Sequence, residues 1–301
     1  MLQFHSLSPA DKARIDEFVR AEDSRSADFF FGNMLLWDEE YRQQVADFDQ
    51  GRLITMCCTP PHPIFPFPIG TGPLAPAIEA ILEYADAQGF PPVLCGLERR
   101  HMEALEACFP GRFEFTPDRD YFDYIYEAER LCTLSGKALH GKRNHIHRFT
   151  QEHDWRCVPL TAELFPVCRM LMEQWADSAG RDDADVRYER LALERAFAHY
   201  DTLDLMGAVL FAEDAPAAFT IGEIISSDTV DIHFEKARAD MEGAYPMINR
   251  EFVRMVCAAH PEIRYVNRED DMGLENLRKS KESYHPAILL EKFTAERKCS
   301  P

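Results

Sequence analysis

The order of predicted strands and helices in the second half of the chain constrains the fold more than any other feature. Period-two and period-3.6 patterns of apolar residues predict these elements. In chain order they are a strand at 155–160, helices at 163–176 and 188–199, strands at 201–211, 217–225 and 229–235, a helix after Gly243, a strand at 263–266, a helix ending near Lys281 and a strand at 287–293. The first half also alternates strand and helix, which indicates an α/β or α+β layer, and we expect an α+β fold of α/β-layered type with mixed central sheets flanked by helices.

Length and charge limit the partners of such a chain. Its 301 residues favour two domains over one. The 52 acidic and 33 basic side chains give a formal net charge of −19. This charge disfavours non-specific binding to nucleic acid or to an anionic membrane surface, so any polyanionic partner must contact a local basic patch.

Hydropathy and cysteine usage indicate a cytoplasmic protein. No apolar run reaches the length needed to cross a bilayer, and residues 1–20 lack a signal-peptide layout, so integral membrane association is not expected. The nine cysteines include no C-x-x-C pair. We expect reduced thiols that serve mostly as small core residues.

A basic segment lies near the middle of the chain. Residues 131–151 contain no carboxylate in a chain that is otherwise strongly acidic. Lys142, Arg143 and Arg148 within it could bind phosphates of a tRNA acceptor end, a nucleotide or a phospholipid headgroup. The alternative is a solvated helix that pairs with acidic surface elsewhere. The histidines of the segment have no zinc-ligand spacing, so no metal site is expected.

An acidic loop followed by a cationic helix is predicted near the end of the chain. Glu269 and Asp270 precede Gly273, and Lys279 and Lys281 lie in the helix that follows. A site that positions an amine and stabilises an oxyanion uses these two signs of charge. The alternative is that the acids and bases complement the two ends of the helix dipole.

Two separated blocks of sequence resemble one family. The first is Asn267-Arg268-Glu269-Asp270-Asp271-Met272-Gly273-Leu274 followed by the segment 277–286, and the second is Lys142-Arg143-Asn144-His145-Ile146 with Arg148-Phe149. Both are similar to motifs of bacterial proteins related to the C-terminal domain of phosphatidylglycerol lysyltransferase. The resemblance implies tandem duplicated GNAT-like acyltransferase folds, as in Fem-type transferases. We therefore expect an N-terminal lobe at 1–130, a basic connecting segment at 131–152 and a C-terminal lobe at 153–301.

The resemblance also implies an activity, the transfer of an aminoacyl group from aminoacyl-tRNA to an amine or hydroxyl acceptor. The acceptor would be a small molecule or a lipid headgroup, tRNA would be a partner, and no tightly bound cofactor is expected. The alternatives are an acyl-CoA-dependent N-acetyltransferase, with acyl-CoA as co-substrate, and a non-catalytic module that binds RNA or a nucleotide.

Roles for individual residues follow from this activity. Lys279 or Lys281 would stabilise the oxyanion, and Glu269 or Asp270 would orient or deprotonate the acceptor amine. The residues expected to bind substrate are Asn267, Arg268, Asp231, His233 and Tyr284. The residues expected to bind donor phosphates are Lys142, Arg143, Arg148 and Gly243. Gly243 stands where acyl-CoA enzymes carry a pyrophosphate loop, but no basic residue directly precedes it.

Overall fold

The computed structural model describes residues 1–180 and 184–298. Its strands, in chain order, are β1 (Phe4–Ser6), β2 (Gln43–Ala46), β3 (Thr55–Cys57), β4 (Phe65–Pro66), β5 (Val93–Leu97), β6 (Phe113–Pro117), β7 (Asp123–Glu127), β8 (Trp155–Pro159), β9 (Met206–Ala212), β10 (Ala215–Ile224), β11 (Thr229–Ala237), β12 (Tyr265–Asn267), β13 (Ile288–Leu290) and β14 (Phe293–Arg297).

The α-helices are α1 (Lys12–Glu22), α2 (Phe31–Leu36), α3 (Asp38–Tyr41), α4 (Leu74–Gln88), α5 (Arg99–Cys108), α6 (Ala128–Thr133), α7 (His140–Glu152), α8 (Phe165–Ala179), α9 (Ala184–Ala198), α10 (Ala244–Ala259) and α11 (Glu275–Glu282). Short 3-10 helices lie at Pro9–Asp11, Arg119–Tyr121 and Ala162–Leu164. Within the described ranges, no helix has both the length and the apolar character that spanning a bilayer requires.

The chain divides into two compact units. Unit 1 contains residues 1–123, residues 270–274 and the described residues from Leu289 onward, and unit 2 contains residues 124–269 and 275–288. This division differs from the expected lobes, because residues 131–152 lie inside unit 2 instead of connecting two lobes. Ile146 and Phe149 of α7 are buried in the core of unit 2, so this segment packs by its apolar face despite its basic composition.

Unit 1 is built on two sheets. One has the strand order β1-β2-β3 and the other β4-β5-β14-β6. In the second sheet β14 pairs antiparallel with both β5 and β6, and Phe293 lies opposite Leu97 on one side and Pro117 on the other. This pairing explains why the end of the chain belongs to the unit that contains its beginning.

The prediction of one final strand at 287–293 is wrong. The structure has two strands, β13 and β14, separated by Glu291 and Lys292. The side chain of Lys292 is buried, and its Nζ lies 2.8 Å from a carboxylate oxygen of Asp28 and 2.8 Å from one of Asp123. A buried ammonium needs such partners, but the alternating pattern of the sequence does not reveal them.

Unit 2 is built around a sheet with the order β13-β7-β12-β11-β10-β9-β8. Strands β8 to β11 pair antiparallel, whereas β11 and β12 are parallel and are connected through α10. From β8 to β13 the strands and helices follow the predicted order β, α, α, β, β, β, α, β, α, β, which is confirmed. Apolar side chains of the sheet and of α10, including Val230, Val266 and Phe252, form the core.

A β-bulge interrupts the pairing of β10 with β11. Phe234 lies opposite Ile221 and Ile232 lies opposite Gly222, so His233 is an extra residue on β11. A Cβ atom added to Gly222 would lie 2.2 Å from the carbonyl oxygen of Asp231. The close approach of the two backbones at the bulge therefore requires glycine at position 222.

We expect Gly222→Ala to lower the free energy of unfolding by at least about 1–3 kcal/mol, because the added methyl group overlaps backbone that cannot move away. The matched control is Gly141→Ala in α7, where an added Cβ meets no atom within 4 Å and alanine favours the helix. Urea denaturation followed by circular dichroism measures both changes. Equal stabilities of the two variants would contradict the close approach at the bulge.

Two cysteines of unit 2 lie side by side. The Sγ atoms of Cys132 on α6 and Cys257 on α10 are 4.0 Å apart. A hydrogen bond from Cys132 lowers the pKa of Cys257 to about 7, although partial burial opposes this shift. The expectation of small core residues holds for Cys57 and Cys168, which are buried. Cys257 is only partly buried, and the hydrogen bond from Cys132 favours its thiolate form.

The rate of alkylation of Cys257 by iodoacetamide is expected to rise as the pH passes through about 7, because the thiolate is the nucleophile. Mass spectrometry of the peptide containing Cys257 measures this rate. In Cys132→Ala the donor is lost, and the rise should move to higher pH. An unchanged profile in that variant would show that Cys132 does not stabilise the thiolate.

Candidate functional site

The parallel strands β11 and β12 form the frame of the candidate site in unit 2. They pair only from Thr229 opposite Tyr265 to Asp231 opposite Asn267. The chain leaves the sheet after Asn267, whereas β11 continues to Ala237. Ligands bind at the carboxyl ends of strands in many α/β proteins, and polar side chains of unit 2 collect at this end.

The first group of side chains, which we call the acidic cluster, consists of Asp231, His233, Glu223 and Glu269. Nδ1 of His233 lies 3.5 Å from Oδ2 of Asp231 and 3.5 Å from Oε1 of Glu269. On the other side of the ring, Nε2 lies 3.4 Å from Oε2 of Glu223. Asp231, His233 and Glu223 are buried, and the side chain of Glu269 is 23% exposed. An imidazole and three carboxylates therefore share one largely desolvated place.

The carboxylates determine the protonation state of the histidine. Burial lowers the pKa of His233, but the hydrogen bonds that its ring donates to Glu223 and Glu269 and the charges of Asp231 and Glu269 outweigh burial and raise the pKa to about 10. His233 is therefore an imidazolium at neutral pH. The cluster attracts positive charge, whether this is a proton, an ammonium group or a metal ion.

The second group, which we call the cation–aromatic cluster, consists of Arg268, Lys142, Tyr126, Tyr284 and Glu235. The guanidinium carbon of Arg268 lies 4.8 Å from the ring centre of Tyr284 and 5.7 Å from that of Tyr126. Nζ of Lys142 lies 4.0 Å from the ring centre of Tyr284. Nη2 of Arg268 lies 2.8 Å from Oε1 of Glu235, and both side chains are mostly buried.

Two cations of this cluster therefore share one aromatic ring. Burial lowers the pKa of Lys142, and the charge of Arg268 lowers it further, while Glu235 opposes both effects. At Lys142, burial and the repulsion from Arg268 therefore outweigh the attraction of Glu235. Such an arrangement favours an anionic ligand, whose charge would offset the repulsion.

The two lysines of α11 have different surroundings. Lys279 is 67% exposed and pairs with Glu275 one turn earlier. Lys281 is buried, and its Nζ donates a hydrogen bond to the carbonyl oxygen of Arg268. Of these two residues, only Lys281 contacts the segment that carries Arg268 and Glu269.

The two acidic residues predicted to act on the acceptor also lie in different compact units. Asn267 is buried at the end of β12, and its Oδ1 accepts a hydrogen bond from the backbone N–H of Glu269. Glu269 belongs to unit 2, whereas Asp270 belongs to unit 1. The loop holds Glu269 in place through a side chain that was expected to bind substrate.

The residues expected to bind donor phosphates do not form one group. Arg143 donates to the carbonyl oxygens of Leu134 and Gly136, and Arg148 is exposed and pairs with Glu152 and Glu242. Lys142 instead joins the cation–aromatic cluster.

Gly243 lies at the start of α10, and a Cβ atom there would lie 2.5 Å from the carbonyl oxygen of His145. Its φ of +93° is also unfavourable for other residues. Close packing of α10 on α7 therefore accounts for this glycine.

Comparison with known proteins identifies the family. Residues 20–296 match the family model described as phosphatidylglycerol lysyltransferase, C-terminal. The chain belongs to this family. The resemblance inferred from the two sequence blocks is thus confirmed.

Solved structures with the same fold have also been found. A conserved protein of unknown function from Bacteroides thetaiotaomicron is 35% identical, with a TM-score of 0.93 over 99% of this chain and 100% of that one. L-PGS from Bacillus licheniformis is 16% identical, with a TM-score of 0.64 over 97% of this chain and 93% of that one. A tandem GNAT protein from the clavulanic acid biosynthesis pathway is 11% identical, with a TM-score of 0.51 over the full length of both chains. The expected α+β fold of tandem GNAT-like type is confirmed.

A curated relative matches over a shorter length. An uncharacterised protein of Mycoplasmoides gallisepticum is 23% identical over 180 residues, which are 59% of this chain and 56% of that protein. The match spans little more than half of the length of this relative, so it carries no conclusion about activity.

Within this member of the phosphatidylglycerol lysyltransferase C-terminal family, three site residues were not predicted. They are Glu223 on β10, Glu235 on β11 and Tyr126 on β7. Glu223 interrupts β10, whose other residues are apolar, glycine or threonine, whereas Glu235 lies in β11, a mostly buried strand that also carries Asp231, His233 and Lys236. A carboxylate in a buried strand requires a partner, and this signal could have identified both.

Two of the glutamate–arginine pairs of this family member, one buried and one exposed, allow a matched test of the cation–aromatic cluster. Glu235→Gln leaves Arg268 buried without its anion, and we expect it to lower the free energy of unfolding by about 3 kcal/mol. Glu242→Gln removes one of the two exposed partners of Arg148 and should leave stability unchanged. Chemical denaturation measures both, and equal effects would mean that Arg268 is well solvated.

Proposed function

We propose that this protein is an aminoacyltransferase that moves an aminoacyl group from aminoacyl-tRNA, in the cytoplasm, to an amine or hydroxyl acceptor. One observation carries the proposal. Arg268 and Glu269 are consecutive residues, yet they belong to clusters of opposite charge. A transferase for this reaction needs both, because the donor is a polyanion and the amino group of its aminoacyl moiety is a cation.

The cation–aromatic cluster is the proposed contact for the donor. Lys142 and Arg268 would bind a phosphate near the acceptor end of the tRNA, and Tyr284 supports both cations through its ring. The family description, phosphatidylglycerol lysyltransferase, supports an aminoacyl donor.

The acidic cluster is the proposed contact for the amine. Glu269, the most exposed member of the cluster, would orient the acceptor or the α-amino group of the donor. The acceptor nitrogen or oxygen attacks the ester carbon, the bond from this carbon to the ribose oxygen breaks, and the proton of the acceptor passes to the ribose oxygen. Lys281 is the proposed source of positive charge for the oxyanion in this step.

A thermal-shift series tests the donor. The probes are an acceptor-stem RNA with a non-hydrolysable aminoacyl group at its 3′ end, the same RNA without this group, and acetyl-CoA. A ligand that binds only the folded protein raises the melting temperature. We expect the aminoacylated RNA to raise it most. Stabilisation by acetyl-CoA alone would overturn the proposal in favour of the N-acetyltransferase, and so would the absence of any shift with RNA.

Two variants of α7 sharpen this test. Lys142→Met removes the cation beside Tyr284, and we expect about a tenfold loss of affinity for the aminoacylated RNA, since a charge-assisted hydrogen bond contributes about 1.5–3 kcal/mol. Arg148→Met removes a cation from the same helix that is exposed and already paired. It should change affinity less than twofold. Equal losses would indicate non-specific attraction instead of a defined phosphate contact.

A further inference from the structure

Asp231, His233 and Glu269 have the chemistry and the spacing of metal ligands. We propose that these three residues bind one divalent transition-metal ion and that Glu223 orients His233 for this purpose. The site was not expected from the sequence, where the histidines considered for metal binding were those of the segment 131–151. Metal binding itself does not depend on the group that the protein transfers.

The distances within the acidic cluster carry the proposal. One potential ligand atom from each of the three residues lies within 4.8 Å of the others. The two contacts of Nδ1 of His233, at 3.5 Å, are longer than the usual N–H···O hydrogen bond of about 2.9–3.0 Å. Ligand atoms about 2.0–2.2 Å from a tetrahedral Zn²⁺ lie roughly 3.3–3.5 Å from one another. The two contacts of His233 therefore have about the length of edges of a coordination tetrahedron.

Glu223, the fourth residue of the acidic cluster, lies where a carboxylate commonly orients a histidine ligand. A metal-bound histidine commonly donates its second N–H to a carboxylate, which fixes the tautomer and the ring orientation. Oε2 of Glu223 lies 3.4 Å from Nε2 of His233, on the side of the ring away from Asp231 and Glu269. Binding of the ion would displace the proton of Nδ1, and donation from Nε2 to Glu223 would then leave the lone pair of Nδ1 directed at the ion.

A β-bulge in the backbone contributes to this arrangement. His233 is the extra residue of the β-bulge, so the regular alternation of side chains along β11 is broken at this position. Asp231 precedes the bulge, and Glu269 follows the end of the parallel strand β12. Bulges occur frequently next to functional sites, where they redirect a side chain.

The set of donor atoms indicates the class of ion. One imidazole nitrogen with carboxylate oxygens suits Zn²⁺, Mn²⁺ or Fe²⁺, whereas Ca²⁺ and Mg²⁺ prefer oxygen alone. Three protein ligands leave a position open for a further ligand, as in catalytic sites. An acceptor amine or hydroxyl bound at that position would lose its proton more readily, and this consequence rests on the proposed transferase function.

Calorimetric titration of the chelator-treated full chain with ZnCl₂ tests the proposal, and the visible absorption of bound Co²⁺ reports its coordination. We expect one equivalent of metal per chain. Asp231→Asn, which keeps the shape of the side chain, should lower affinity at least about 100-fold, because it removes a charged ligand. Glu223→Gln should lower affinity about 10–100-fold, the usual effect of losing the support of a histidine ligand.

The matched control is Glu242→Gln. Glu242 also contacts a histidine, His145, at 2.9 Å, but this pair is exposed. The variant should keep the affinity of the unmodified chain. The proposal is overturned if no stoichiometric binding occurs, if binding persists in Asp231→Asn, or if Glu242→Gln causes the same loss.

Circular dichroism establishes that each variant is folded. If Asp231→Asn does not fold, Glu269→Gln replaces it, because the side chain of Glu269 is partly exposed and its loss disturbs less of the core. The titration uses no tRNA and no acceptor. Failure of metal binding would therefore leave the transferase proposal standing, and failure of the donor test would leave metal binding standing.

Discussion

The ion pair between Arg268 and Glu235 is the interaction on which the carboxyl end of the central strands of the unit 2 sheet, β11 and β12, depends. The strands that carry these residues pair over only three positions, and both charges lie beyond the paired part. Because both side chains are mostly buried, each is stable there only while the other is present. Asn249 on α10 also donates to Glu235, so the helix that connects the two strands is held by the same carboxylate. Strand β11, helix α10 and the loop after β12 therefore each contribute a side chain to this one charged group.

The turn after β12 separates two charges that are adjacent in sequence. Glu269 has a φ of +56°, which is uncommon for a residue with a side chain. Asn267 stabilises this conformation by accepting a hydrogen bond from the N–H of Glu269, an arrangement typical of asparagine turns. This left-handed conformation places the side chain of Glu269 in the acidic cluster, while the side chain of Arg268 stays paired with Glu235. A short run of residues thereby supplies both signs of charge to one region of unit 2.

Local patterns in the sequence predict the elements well. The strand predicted at 155–160 differs from β8 by one residue at its end, because the signals that begin and end a strand are local. Long-range pairing is different, and nothing near residues 293–297 indicates that they complete a sheet begun two hundred residues earlier. The unit boundaries could not be predicted for this reason.

The candidate site was predictable in its residue types but not in its grouping. Lys142 was assigned to the donor and Arg268 to the substrate from separate motifs, and the structure brings them to the same tyrosine ring. Arg143 has the same charge as Lys142 and is its neighbour, yet it serves to hold a loop through the carbonyl oxygens of Leu134 and Gly136. Which cation stays available for a ligand depends on tertiary contacts that composition does not encode.

The position of β14 has a consequence for how the protein forms in the cell. This strand lies between β5 and β6, so the sheet it joins has a vacant central position until residue 297 has left the ribosome. Unit 2, in contrast, has all its strands except β13 once residue 267 is made. One edge of β5 and the facing edge of β6 therefore stay unpaired until the residues of β14 have been synthesised. A translating ribosome would complete the two units in the reverse of the order in which their sequences begin.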